Sequence, residues 1–129
     1  MNLKDHIYVY KNHSASSMIV IYKEARVIAP TQIHQFMDYL EELVEDNDFY
    51  IIIDLSNAKP PNAECRATLK ERFSEVQNRV RAYHFHVGNN FLLKISIRFV
   101  GASLGVYEYK THHSIKSAVR AIEEEEVLA

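Results

Sequence analysis

Apolar and polar positions along this chain follow two periods in turn. His6–Tyr10 (His-Ile-Tyr-Val-Tyr) and Met18–Tyr22 (Met-Ile-Val-Ile-Tyr) are short β-branched and aromatic runs, and they read as strands. The polar segment between them, Asn12–Ser17, is too short for a crossover. It predicts an antiparallel hairpin, because parallel neighbours need a connection of about a dozen residues or more. Pro30-Thr31 then opens a helix, since proline costs nothing in a first turn. Ile33, Phe36, Met37, Leu40 and Val44 form its one apolar stripe. Phe49–Ile53 (Phe-Tyr-Ile-Ile-Ile) has no alternation, which predicts a strand covered on both faces, with Asp54 at its end. After Pro60-Pro61-Asn62 a helix is expected to about Arg81, with the stripe Cys65, Leu69, Phe73, Val76 and Val80. Glu75 and Arg79 stand in the favoured order for a pair four residues apart.

Tyr83–Val87 is the next strand, ending at Gly88-Asn89-Asn90. Residues 91–104 carry two signals. Lys94–Phe99 alternates as a strand does, whereas Leu92, Ile95, Phe99 and Ala102 fit a helical stripe; pattern alone favours the strand. Val106–Lys110 reads as a short strand, and Ser114 as the cap of a last helix with Ile115, Ala118, Val119 and Ile122 on its apolar stripe. Strands and helices alternate after the hairpin, which predicts an α/β domain with a largely parallel sheet and right-handed crossovers.

Charge sharpens this picture. Glu41, Glu42, Glu45 and Asp46 crowd the end of the first helix, where the dipole disfavours anions, and they read as a solvated face. Glu123–Glu126 reads as a solvated, fraying end. Residues 1–58 hold 4 basic and 9 acidic residues, residues 59–98 hold 8 and 3, and residues 99–129 hold 3 and 5. The middle of the chain is thus the basic part, suited to an anionic ligand or an acidic partner. The whole chain of 129 residues carries a net charge of −2 and has room for one domain. Its pI near 6.4 argues against a nucleic-acid binder. One cysteine excludes an internal disulfide and a cysteine-based zinc site. With no apolar run of membrane-spanning or signal-peptide length, a cytoplasmic protein without membrane insertion is expected.

Tyr50-Ile51-Ile52-Ile53-Asp54-Leu55-Ser56-Asn57-Ala58 resembles the central strand and following turn of STAS domains, the family of the sporulation anti-sigma-factor antagonist. The opening hairpin and the helix before that strand are similar too. So is the ending, from Tyr107-Glu108-Tyr109-Lys110 through Ser114-Ile115-Lys116-Ser117-Ala118-Val119-Arg120-Ala121-Ile122. The nearest likeness is to small SpoIIAA-like proteins of the STAS/SEC14 type, over about residues 6–125. The resemblance implies a SpoIIAA-like (STAS) mixed sheet of about five strands with interspersed helices and an N-terminal β-hairpin. It also implies that residues 91–104 are helical, and this reading is followed. Signalling members carry a phosphorylatable serine at the start of the helix after the central strand, in an Asp-Ser-Ser-Gly-like motif. Here that motif falls on Asn62-Ala63-Glu64-Cys65, so the hydroxyl is missing and Glu64 supplies a fixed negative charge.

The turn after the central strand is the main candidate site. Ligands of open α/β sheets gather at the carboxyl ends of strands, and helix N-termini attract anions. Asp54, Ser56, Lys59, Asn62, Glu64, Arg66 and Lys70 form the expected partner- or anion-binding set. Arg66 is a misfit for the dipole there, as for an anionic visitor, and Asp54 is placed to pair with Lys59 or Arg66. Ser56 is more simply read as a turn residue. Cys65 lies on the apolar stripe and reads as core. His84 and His86 share a strand face, which suits either metal chelation with help from His112-His113 or an open polar face. No serine or cysteine stands on a glycine elbow, so no catalytic residue, cofactor or metal is assigned. Tyr8, Tyr10, Tyr107 and Tyr109 are candidates for a homodimer contact. The expected function is a non-catalytic regulatory or protein-interaction module; the alternative is a binder of a small amphipathic, acyl-like ligand, with its pocket between residues 91–104 and the sheet.

Overall fold

Strand order is the same as chain order in this protein. The computed structural model describes residues 2–24, 28–89, 101–102, 105–106 and 108–128. Its elements are β1 (Ile7–Val9), β2 (Met18–Lys23), α1 (Pro30–Val44), β3 (Phe49–Asp54), α2 (Ala63–Val76), β4 (Val80–His86), β5 (Lys110–His112) and α3 (Ile115–Leu128). The five strands form one sheet in the order β1-β2-β3-β4-β5. β1 is antiparallel to β2, and the remaining pairs are parallel. The architecture is therefore a mixed five-strand α/β fold with an N-terminal hairpin, as expected.

The unbroken apolar run of β3 is explained by cover on both faces, and all six of its residues are buried. Phe49, Ile51 and Ile53 join the α1 stripe and Cys65, Leu69, Phe73 and Val76 of α2 in the larger core. Tyr50 and Ile52 turn the other way, to Ala118, Val119 and Ile122 of α3. A sheet that grows steadily in one direction with crossovers of one hand puts α1 and α2 on the same face. The opposite face is covered by α3, with Tyr10 and Ala15 packed beside it.

Some of the acidic side chains read as solvated are tied down, Glu41 near the end of α1 and Glu123, Glu125 and Glu126 in α3, while Glu42, Glu45, Asp46 and Glu124 are exposed. Arg72, its side chain 9% exposed, places Nη2 at 2.6 Å from Asp38 Oδ1 and 3.0 Å from Glu41 Oε2. Its Nε donates to Glu75 Oε1 at 2.8 Å. Arg79 donates to the Glu45 carbonyl. Glu41 thus meets Arg72 of α2 and, at 4.0 Å, Arg79 of the turn after it, which offsets part of the unfavourable dipole. The expected Glu75–Arg79 pair gives way to Glu75–Arg72. At the chain's end, Glu123 accepts hydrogen bonds from the Ser14 amide at 2.8 Å and from the Ser14 hydroxyl. Glu126 accepts from Ser16 Oγ at 2.9 Å and from the Ser17 amide at 3.1 Å. This end is a clasp on the β1–β2 hairpin.

Two boundaries differ from expectation. α2 stops at Val76 and tightens into a 3-10 turn over Gln77–Arg79. Val80, four residues after Val76, opens β4 opposite Phe49 and does not extend the helical stripe. β5 covers Lys110–His112, later than the expected Val106–Lys110. Tyr109 packs edge-on against Phe85, ring centroids 5.2 Å apart, so it serves the core just before the ladder begins. Residues 91–104, read as strand or helix, lie outside the described residues apart from Gly101 and Ala102.

Candidate functional site

The loop from β3 to α2 is built from hydrogen bonds that its own sequence supplies. Asp54, at the carboxyl end of β3, is 8% exposed. Its Oδ1 accepts from the Ser56 amide at 3.0 Å and from the Ser56 hydroxyl at 2.6 Å, an Asx turn. His86 Nε2, at the end of β4, stands 3.8 Å from the same oxygen. Gly88 closes over this knot with φ of 55°, and a Cβ there would lie 3.2 Å from Ser56 Cβ. Both the positive φ and the close approach call for glycine. Asn62 then caps α2, its Oδ1 accepting from the Cys65 amide at 2.9 Å. Arg66 Nη1 donates to the Pro61 carbonyl at 2.8 Å.

The expected site residues therefore separate into three roles. Asp54 and Ser56 form the turn, and the carboxylate takes Ser56 and His86 as its neighbours. Asn62 and Arg66 hold the start of α2. Lys59, Glu64 and Lys70 are exposed. Cys65 is buried as expected, its Sγ 3.3 Å from the Ile28 carbonyl, and burial together with nearby Glu64 and Glu24 pushes its thiol up, away from nucleophilic thiolate. The strand order also corrects one premise. Ligand crevices of open α/β sheets form where strand order reverses and the helices part to opposite faces. Here α1 and α2 share a face and the order does not reverse. The β3–α2 loop therefore does not stand at such a switch point.

His84 does not stand on an open polar face. His84 is fully buried, and its Nδ1 lies 2.9 Å from His112 Nε2. His112 Nδ1 lies 3.2 Å from Ser117 Oγ in the first turn of α3. On the other side, His84 Nε2 is 3.2 Å from Glu125 Oε1, near enough for ionic attraction but not aligned as a hydrogen bond. Lys110 Nζ shares that oxygen at 3.3 Å. Burial lowers His84 to about 4, with Glu125 pulling upward and His112 and Lys110 pushing further down. His86 turns instead to Asp54. Among the described residues, no group of three or more His, Cys, Asp or Glu side chains is placed to hold a metal ion.

Sequence reasoning missed Glu24. It follows β2 and is buried at 7% exposure, and that burial alone raises its carboxyl to about 7. Fully buried Tyr22 keeps its hydroxyl without a hydrogen-bond partner among the described residues, and Glu24 raises that phenol further. The only signal was a carboxylate directly after an apolar strand. Of the four tyrosines expected at a dimer contact, Tyr8 is 39% exposed, Tyr10 packs on the α3-side core, and Tyr109 packs on Phe85. Tyr107 lies outside the described residues, as does most of the segment expected to wall a ligand pocket. A cavity of about 510 Å³ opens instead beside β4, and one of about 490 Å³ lies near Ser16, Asn47 and Arg81. No helix among the described residues is long and apolar enough to cross a membrane. No family model matches the chain, and no curated protein matches it.

Proposed function

We propose that this protein is a non-catalytic regulatory or protein-interaction module of the STAS kind, acting in the cytoplasm and docking an acidic segment of a partner protein. Its docking surface is the β3–α2 loop and the exposed side of α2, where Lys59 and Lys70 present the positive charge and Arg66 stands between them. The observation that supports this reading is the unreversed strand order, which places α1 and α2 on one face, so that the β3–α2 loop is not at a strand-order switch point of the kind that encloses small ligands. Asp54–Ser56 and Asn62–Cys65 hold the loop in one shape before a partner arrives, which lowers the ordering cost of binding. Glu64, where signalling relatives have a switchable phosphoserine region, makes the charge pattern constant.

The test is affinity capture from the protein's native cell extract, comparing wild type with the Lys59→Glu, Lys70→Glu variant. Both side chains are exposed, so the variant keeps its fold. Loss of specific partners in the variant supports the reading, and identical partner sets overturn it.

A further inference from the structure

Two imidazoles join the hydroxyl of Ser117 to a carboxylate. β5 ends at His112 and α3 begins at Ile115, so the first turn of α3 stands beside the strand end. There the exposed Ser117 Oγ lies 3.2 Å from His112 Nδ1. His112 pairs with His86 in the ladder, two residues along from His84, and strand alternation puts these rings on one face. His112 Nε2 is 2.9 Å from His84 Nδ1, and the two rings stack at 27° with centroids 5.1 Å apart. His84 Nε2 is 3.2 Å from Glu125 Oε1. The line Ser117–His112–His84–Glu125 thus runs from the surface, through a half-buried ring and a fully buried one, back to the helix it started from.

Glu125 sets the direction of this line. A ring nitrogen that turns its lone pair to a carboxylate is repelled, and one that turns a proton to it is attracted. His84 therefore holds its proton on Nε2 and accepts at Nδ1. His112 then carries the proton between the rings on Nε2, which leaves a lone pair on its Nδ1 and makes Ser117 the donor. Burial favours the neutral form of both rings, so His112 is free to take a proton. Lys110 Nζ holds the same Glu125 oxygen at 3.3 Å and keeps the carboxylate in place. Ser14 and Ser16 also donate to side chains, but to the carboxylates of Glu123 and Glu126, which are weaker bases than imidazole.

We propose that Ser117 is a nucleophilic serine that accepts an acyl group from an activated ester, with His112 as its general base and with His84 and Glu125 positioning that base. Ser117 Oγ bonds to the carbonyl carbon of the ester, its proton passes to His112 Nδ1, and the bond from that carbon to the alcohol oxygen breaks. His112 returns the proton to the leaving oxygen, so the products are an O-acyl serine and a free alcohol, and both rings end neutral. A nucleophile, a base and an orienting carboxylate in hydrogen-bond series activate serines on unrelated folds, and here one further ring extends the series. The dipole of α3, positive at this end, favours the negative charge that gathers on the reacting oxygen. The product is a covalent mark on the chain. Its site shares no residue with the loop surface proposed above and does not depend on it.

The experiment treats the purified full chain with p-nitrophenyl acetate and follows, by peptide mapping, the rate at which each serine gains an acetyl group. Ser114 is the internal reference, since it is also exposed, stands at the same helix start, and accepts from the Ser117 amide at 3.0 Å. Ser117 should react roughly a hundredfold faster than Ser114, the lower end of what a positioned base supplies. His112→Gln should remove that advantage and leave the Ser114 rate unchanged. Glu125→Gln should reduce the advantage several-fold, whereas Glu124→Gln, at an exposed neighbour, should preserve it. The wild-type rate at Ser117 should fall in heavy water, and this dependence should vanish in His112→Gln, because a purely structural histidine does not tie the rate to the solvent isotope. Equal rates at Ser117 and Ser114, an undiminished rate in His112→Gln, or a wild-type rate unmoved by heavy water each overturn the inference. Equal losses in Glu124→Gln and Glu125→Gln overturn it too, because the charge of the helix and not the relay would then be acting.

Discussion

Nδ1 of His84 lies 2.9 Å from Nε2 of His112, so one of these nitrogens carries the shared proton and the other accepts it. A proton on His84 Nε2 would face the Glu125 carboxylate at 3.2 Å, and the Ser117 hydroxyl would then serve His112 Nδ1. In that arrangement each ring is neutral, and the His112 Nε2 proton points at His84 Nδ1. Charging either ring costs desolvation first; Glu125 offsets part of that cost, while Lys110 adds to it for both rings and His112 adds to it for His84.

Glu24 and His84 should oppose each other in the dependence of stability on pH. The folded protein holds His84 at about 4, against 6.5 in the unfolded chain. Between those values the unfolded chain binds a proton that the folded one refuses, so stability rises with pH and is lost on acidification. Glu24 is held at about 7, against 4.5 unfolded. There the folded state keeps the extra proton, so stability falls as pH rises from 4.5 to about 7. In wild type the two slopes offset each other. Glu24→Gln should therefore melt higher at pH 6.5 than at pH 4.5, and His84→Gln should do the reverse. Thermal melts across that range check it; two variants with the wild-type slope would refute both assignments.

Arg72 should matter more than any one of its partners. Its side chain is 9% exposed, while those of Asp38, Glu41 and Glu75 are 72%, 35% and 48% exposed. Removing one carboxylate leaves the guanidinium its other acceptors and returns little buried surface, so Asp38→Ala should cost less than about 1 kcal/mol. Removing Arg72 leaves three carboxylates facing one another across the α1–α2 seam. Arg72→Met should cost about 2 kcal/mol, below the full penalty of a broken buried pair because its partners can rehydrate. Urea unfolding of both variants measures the difference, and equal losses would contradict the account.

Features set by near neighbours were legible in the chain. The hairpin follows from the short polar Asn12–Ser17 link, the α1 stripe from its 3-4 spacing, and the buried β3 from five apolar residues in a row. What escaped depends on residues far apart in sequence. Asp38 and Arg72 are separated by 34 positions, and Ser14 and Glu123 by 109. Charge runs look solvated until the fold brings their partners. Strand alternation placed His84 and His86 on one face, but Asp54 on one side and His112 on the other drew them into separate pairs. Strand order, and with it the absence of reversal, is a property of the whole sheet that no single segment carries.

Asn62 should contribute one cap's worth of helix stability and no more. Its side-chain oxygen satisfies the Cys65 amide, one of the free amides of the first turn of α2, at 2.9 Å. Asn62→Ala should cost about 1 kcal/mol, and Asn62→Gly only a few tenths. Asp54→Ala releases the Ser56 amide and hydroxyl together and should loosen the turn ahead of that cap. If amide exchange at Ser56–Ala58 speeds up in Asp54→Ala but not in Asn62→Ala, the two devices act separately, as the geometry requires.

Glu123 and Glu126 should control local order in the hairpin and leave global stability almost unchanged. Both carboxylates are exposed, and their bonds to Ser14, Ser16 and Ser17 hold each below the usual carboxylate range. Exposed contacts of this kind add little to unfolding free energy, because water replaces them. They restrict the loop that leads into β2, however, and Tyr10 and Ala15 pack beside it on the α3-side core. The Glu123→Ala, Glu126→Ala variant should therefore exchange the Ser14 and Ser17 amides faster than wild type while its melting temperature barely moves. A large drop in melting temperature would mean that the clasp supports α3 itself. Unchanged exchange would mean that the hairpin is ordered by Tyr10 and Ala15 alone.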